Sequence, residues 1–158
     1  MQHTSVTSSL TGQAFDFFFW FSRFEAALKE DGYLRNEQPN SVAQPGWDQF
    51  VAKWAPQYQP SANATRLISL APARQMVGAN KSLTWGATPV APGASQLATV
   101  IAMLKTVRNN LFHGGKHGSA DWDNPKRTGE LLDAARPILD ELAELAGPGF
   151  ASDFHRIY

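Results

Sequence analysis

From Thr11 to Lys29 apolar side chains recur at helical spacing: Phe17, Phe21, Phe24 and Leu28 fall on one face, with Trp20 beside them. The spacing predicts a helix with an unusually aromatic stripe, and Gly32, just past Glu30 and Asp31, supplies its stop. A second pattern opens at Ser95, a good N-cap, and carries Leu97, Val100, Ile101, Leu104, Leu111 and Phe112 to the glycine pair Gly114-Gly115. A third starts at Asn124-Pro125, a cap followed by a first-turn proline. It runs through Leu131, Leu132, Ala135, Ile138, Leu139, Leu142 and Leu145 to Gly147-Pro148, with Pro137 expected to kink it.

Between residues 36 and 93 the character changes. Pro39, Pro45, Pro56, Pro60, Pro72, Pro89 and Pro92 punctuate the chain, and long helices cannot run through them. Trp47, Phe50, Val51 and Trp54 still keep helical spacing, as do Leu67, Leu70 and Arg74, so one or two short helices are expected among irregular connections. No segment shows sustained period-two alternation, no repeat is visible, and no glycine-rich phosphate-cradling loop precedes a helix. The expectation is an all-α bundle of three or four principal helices: one domain over residues 1–158, with 36–93 as an irregular insertion.

Composition narrows the function classes. The 14 Lys plus Arg balance the 14 Asp plus Glu, so no global field attracts nucleic acid and any such contact must be local. Locally the charge is polarised. From Met103 to Gly129, Lys105, Arg108, Lys116, Lys126 and Arg127 outnumber Asp121 and Asp123, with His113 and His117 alongside; from Glu130 to Asp153 six acids face only Arg136. Cysteine is absent, which removes disulfides, thiolate nucleophiles and Cys-based zinc sites. His3, His113, His117 and His155 do not make a metal constellation, because glycines interrupt the i+4 pair His113 and His117, so no metal or cofactor is expected. No Gly-x-Ser-x-Gly elbow supports serine catalysis. The apolar run Phe15–Phe21 is broken by Asp16 and is far short of the roughly 20 residues of a membrane span. Met1–Leu10 lacks the pattern of a secretory signal, so a cytoplasmic protein with no membrane partner is expected.

Arg108 is the residue that breaks the pattern. On an ideal helix with Leu97 at zero it falls at about 20°, inside the apolar stripe, where a permanent cation needs a carboxylate, a carbonyl or a bound anion. It is either an Arg whose stem packs while its head reaches the edge or a phosphate ligand. Glu25, beside the apolar face of the first helix, can cross to Arg108 or pair with Lys29 one turn on; both readings stay open. His113, next to the glycine stop, is either a partner for the helix dipole or a proton-transfer group.

The string Arg108-Asn109-Asn110-Leu111-Phe112-His113 sets a polar residue directly after an Arg and a His near a helix end. It resembles the signature of the HEPN superfamily, as does the first-helix stretch Phe21-Ser22-Arg23-Phe24-Glu25-Ala26-Ala27-Leu28-Lys29. The likeness covers the first helix and the region from Ser95 to Leu145 and leaves the middle unmatched. It implies a HEPN-like helical bundle acting as a metal-independent endoribonuclease, a toxin or antiphage effector, in which Arg108, Asn109 and His113 are catalytic. It also implies a homodimer whose two motifs share one cleft, and an inhibitor or antitoxin protein as a partner. Gly115 stands where one toxin branch carries a Tyr that a partner enzyme modifies, so that modification is not expected here.

In such a mechanism the RNA 2′-hydroxyl is the nucleophile. His113 suits proton transfer, Arg108 the non-bridging phosphate oxygens, and Asn109 the orientation of either. Glu25 would support Arg108, while Lys105, Lys116, His117 and Arg127 form a basic rim for the phosphate backbone. Phe15, Phe18 and Phe19 lie off the main stripe and are the candidate dimer surface. The alternative is a non-catalytic module of the same type that binds a nucleotide or a partner protein.

Overall fold

The aromatic stripe forms α1 (Ser8–Glu30) in a computed structural model that describes residues 8–112 and 124–157. His3, His113, Gly114, Gly115, Lys116 and His117 therefore lie outside the described residues. α1 stops as its sequence dictates. Gly32 adopts φ +81°, its N–H reaches the Lys29 carbonyl at 3.2 Å, and the Tyr33 N–H reaches Leu28 at 2.8 Å. This paired bonding satisfies carbonyls that the helix end would leave open, and Tyr33 and Leu28 are both buried.

Five more helices follow among the described residues: α2 (Trp47–Trp54), α3 (Ala62–Leu70), α4 (Gln96–Phe112), α5 (Pro125–Leu145) and α6 (Pro148–His155). The expected caps are in place. Ser95 Oγ accepts from the Ala98 N–H at 3.1 Å, and Asn124 Oδ1 accepts from Lys126 and Arg127 at 3.0 and 3.3 Å. α5 runs through Pro137 as one element.

The chain is mostly helical but not all-α. Ala73–Val77 (β1) and Leu83–Ala87 (β2) pair antiparallel, Ala73 opposite Ala87 and Val77 opposite Leu83. This corrects two expectations, the absence of strands and the helical placement of Arg74, which sits in β1. α3 ends at Leu70 because Ala71 turns left-handed, with φ +46°, and Pro72 follows. Neither strand buries a continuous face, so no alternation was there to be read. The hairpin is tied down by polar bonds at its base: Asn110 Nδ2 donates to the Ala73 carbonyl at 2.7 Å, and the Thr88 hydroxyl lies 2.6 Å from the Pro72 carbonyl and 3.0 Å from the Thr106 hydroxyl.

The proline-rich middle is part of the core. Trp47, Phe50, Ala64 and Leu67 are buried in the same cluster as Phe17, Phe21 and Phe24 of α1 and Leu97, Leu104 and Val107 of α4. α6 adds Phe150 and Phe154, both buried. No helix among the described residues is long and apolar enough to cross a membrane.

One buried group is poorly served. Glu141 accepts from Ser61 Oγ at 2.5 Å and Asn63 Nδ2 at 2.9 Å, locking α3 to α5. The buried hydroxyl of Tyr58, pushed up to about 12 by burial and by Glu141, bonds to no protein group among the described residues. Tyr58→Phe is therefore expected to be neutral or to stabilise the fold by about 1 kcal/mol, since it removes a buried polar group without breaking a bond. Thermal denaturation checks this, and a loss of several degrees would show that the hydroxyl has a partner.

Candidate functional site

α1 and α4 run antiparallel along a seam. Phe18 packs on Phe112 with ring centroids 4.3 Å apart, and the Arg108 guanidinium lies 5.1 Å from the Phe21 ring centre. One turn further, Arg108 Nη2 meets Glu25 Oε1 at 3.2 Å. Lys105, one turn back on α4, places its Nζ 5.2 Å from the Trp47 ring centre. As positions rise on α1 they fall on α4.

Glu25 thus turns to Arg108. The same Oε1 accepts from the Trp47 indole at 3.1 Å, which fixes the carboxylate from both sides. Arg108 Nη1 donates to Asn109 Oδ1 at 2.8 Å. Its side chain keeps 30% of its surface exposed, so the guanidinium is packed along its stem and open at its head. Asn109 and Asn110 divide the work: the first orients Arg108, and the second is buried under the hairpin.

The seam opens into a cleft of about 460 Å³ that Glu25, Trp47, Lys105 and Arg108 share with Arg35, Gln44, Asp48 and Gln49. Its far wall is built by a close backbone approach. The Arg35 N–H bonds to the Gln44 carbonyl at 3.0 Å and the Gly46 N–H to the Tyr33 carbonyl at 2.8 Å. A Cβ on Gly46 would lie 2.7 Å from the Leu34 nitrogen, so only glycine lets the two segments meet. Gln49 then fastens the wall, accepting from the Leu34 N–H at 2.9 Å and donating to Glu37 at 2.8 Å.

Three cations, Arg35, Lys105 and Arg108, face two carboxylates, Glu25 and Asp48, in this cleft. Glu25 is committed to Arg108. Burial holds the Lys105 ammonium below its ordinary range, with Arg108 and Arg35 pushing the same way and Asp48 and Glu25 opposing. An anion entering here would meet Arg108 and relieve the mutual repulsion of the three cations.

Compared with known protein families, curated proteins and solved structures, the chain matches none.

Of the residues singled out by sequence, Glu25, Lys105, Arg108 and Asn109 come together. His113, Lys116 and His117 lie outside the described residues. Arg127 does not line this cleft: its guanidinium donates to the Leu70 carbonyl at the end of α3. Among the described residues no three His, Asp or Glu side chains group to hold a metal. Sequence reasoning missed Arg35, Trp47 and Asp48 as site residues. Trp47 falls on an expected short helix, but nothing in its spacing ties an indole to Glu25.

Proposed function

We propose that the α1–α4 cleft binds the phosphodiester of RNA and that the protein is a HEPN-like, metal-independent endoribonuclease. The observation that carries this reading is Arg108, a permanent cation held on its helix by Glu25, Asn109 and the Phe21 ring, with its head open to a cleft that also holds Lys105 and Arg35. Such a fixed guanidinium suits the non-bridging oxygens of a phosphate that gains charge in the transition state. The 2′-hydroxyl attacks phosphorus, the bond to the 5′-oxygen breaks, and a 2′,3′-cyclic phosphate and a free 5′-hydroxyl result. His113, five residues beyond Arg108, transfers the proton.

One Arg and one His make a thin site, and in this proposal two protomers pair so that both motifs border one cleft. Phe15, 68% exposed and stacked on the half-buried Phe19 at 6.4 Å, offers an outward ring for that contact, while Phe18 packs on Phe112 at the seam. Phe15→Glu with Phe19→Glu should yield a folded monomer with little cleavage, read by sedimentation and an RNA assay. A parental protein that is monomeric at micromolar concentration would remove the pairing from the mechanism.

Incubating the protein with labelled RNA in excess chelator tests the reading itself. Cleavage that persists, with affinity falling steeply as salt rises, is the expected result. Saturable binding of a nucleotide or a protein without cleavage would favour the non-catalytic module instead.

A further inference from the structure

The exposed aromatic step beside Arg108 has no role in the reading above. Phe112 is 53% exposed although it lies directly against Phe18, and neither ring belongs to the buried core. Phe112 is one helical turn beyond Arg108 on α4, so the two positions lie about 6 Å apart along the helix axis, near enough for one nucleotide to reach both. On the other side of Arg108, Lys105 follows at about 4.5 Å along the axis, with Arg35 across the cleft. Neither of these two cations has a carboxylate within ion-pair distance among the described residues. Aromatic ring, fixed guanidinium and Lys105 thus succeed one another along the α1–α4 seam, which leads into the cleft that Arg108 and Lys105 share with Arg35.

That order matches the way proteins track an unpaired strand: bases stack on π-faces while cations follow the backbone. A duplex keeps its bases stacked inside and presents none to a side ledge of this kind. Resting on the RNA reading above, we infer that the seam is a single-strand track in which the Phe18–Phe112 step stacks one base, Arg108 holds the adjoining phosphate, and Lys105 with Arg35 takes the next. The substrate class is single-stranded RNA, such as a loop or an end, with the base at the step held by stacking rather than by edge recognition.

Fluorescence anisotropy with uncleavable ligands tests it: a 2′-O-methyl adenine octamer, an abasic octamer and an RNA duplex. The parent protein should bind the adenine octamer about 10-fold more tightly than the abasic one, and more tightly than the duplex. Phe112→Leu, which keeps apolar bulk on a half-exposed position, should abolish the base preference and leave abasic binding unchanged; Phe18→Leu should act in the same direction. Arg108→Gln should weaken both single-stranded ligands. A preference that survives Phe112→Leu while Arg108→Gln still weakens binding overturns the track and leaves the RNA reading standing. If Arg108→Gln changes no affinity, the RNA reading fails with it. Equal affinity for duplex and single strand overturns the track, as does a Phe112→Leu protein that changes oligomeric state without changing its affinity for the octamer.

Discussion

Replacing Arg108 with Gln is expected to lower RNA cleavage by about 100-fold or more while leaving the fold in place. The two consequences come from one geometry. Arg108 keeps its head exposed and its ion pair with Glu25 lies at the cleft edge, where a pair contributes at most about 1 kcal/mol. Glu25 would still accept from the Trp47 indole, so the variant does not strand a carboxylate without a donor. What Gln cannot replace is a delocalised cation with parallel N–H groups on a phosphate that is gaining charge. His113→Ala should match this loss if His113 carries the proton. Rates within a few-fold of the parent for Arg108→Gln would move the chemistry away from this cleft.

Phe24→Ala should be the most damaging single change to stability, at about 3–5 kcal/mol. Phe24 is fully buried and joins three elements. Its ring stacks on Trp47 at 5.1 Å and meets Phe50 at 5.5 Å, Phe150 at 5.0 Å and Phe154 at 5.7 Å. A cavity there would loosen α2 and α6 together and release Trp47, which fixes Glu25 and lies under Lys105. The loss is a large share of the 5–15 kcal/mol that holds a domain of ordinary size. Urea denaturation gives the value, and a cost under about 1 kcal/mol would mean that the surrounding rings collapse into the space.

Local signals carried the principal helices. Gly32, Ser95 and Asn124 each act through their own backbone or side chain, so residue identity was enough to place a stop or a start. The helical wheel leaves Glu25 free to cross to Arg108 or to pair with Lys29, and the 3.2 Å contact with Arg108 decides between them. The hairpin could not be read in this way, because its strands bury no continuous face and are held by Asn110 and Thr88 at their base. α6 lies beyond the expected stop at Gly147-Pro148, and its signals are short: a proline in the first turn and the i+4 pair Phe150 and Phe154. Arg35 and Asp48 joined the cleft only through tertiary pairing of the Tyr33–Arg35 and Gln44–Gly46 segments, which has no periodicity. The excess of rings on α1 also has more uses than one: Phe17, Phe21 and Phe24 are core, Phe18 sits at the seam, and Phe15 faces out.

The central claim, that the Arg108 cleft acts on an RNA phosphodiester through the neighbouring 2′-hydroxyl, is tested most directly with a DNA oligonucleotide carrying one ribonucleotide, incubated in chelator. The parent protein is predicted to cut only on the 3′ side of that ribonucleotide, leaving a 2′,3′-cyclic phosphate, with the Arg108→Gln protein showing no more than about one hundredth of that rate. An intact substrate at saturating parent protein, or equal cleavage by parent and variant, would contradict it.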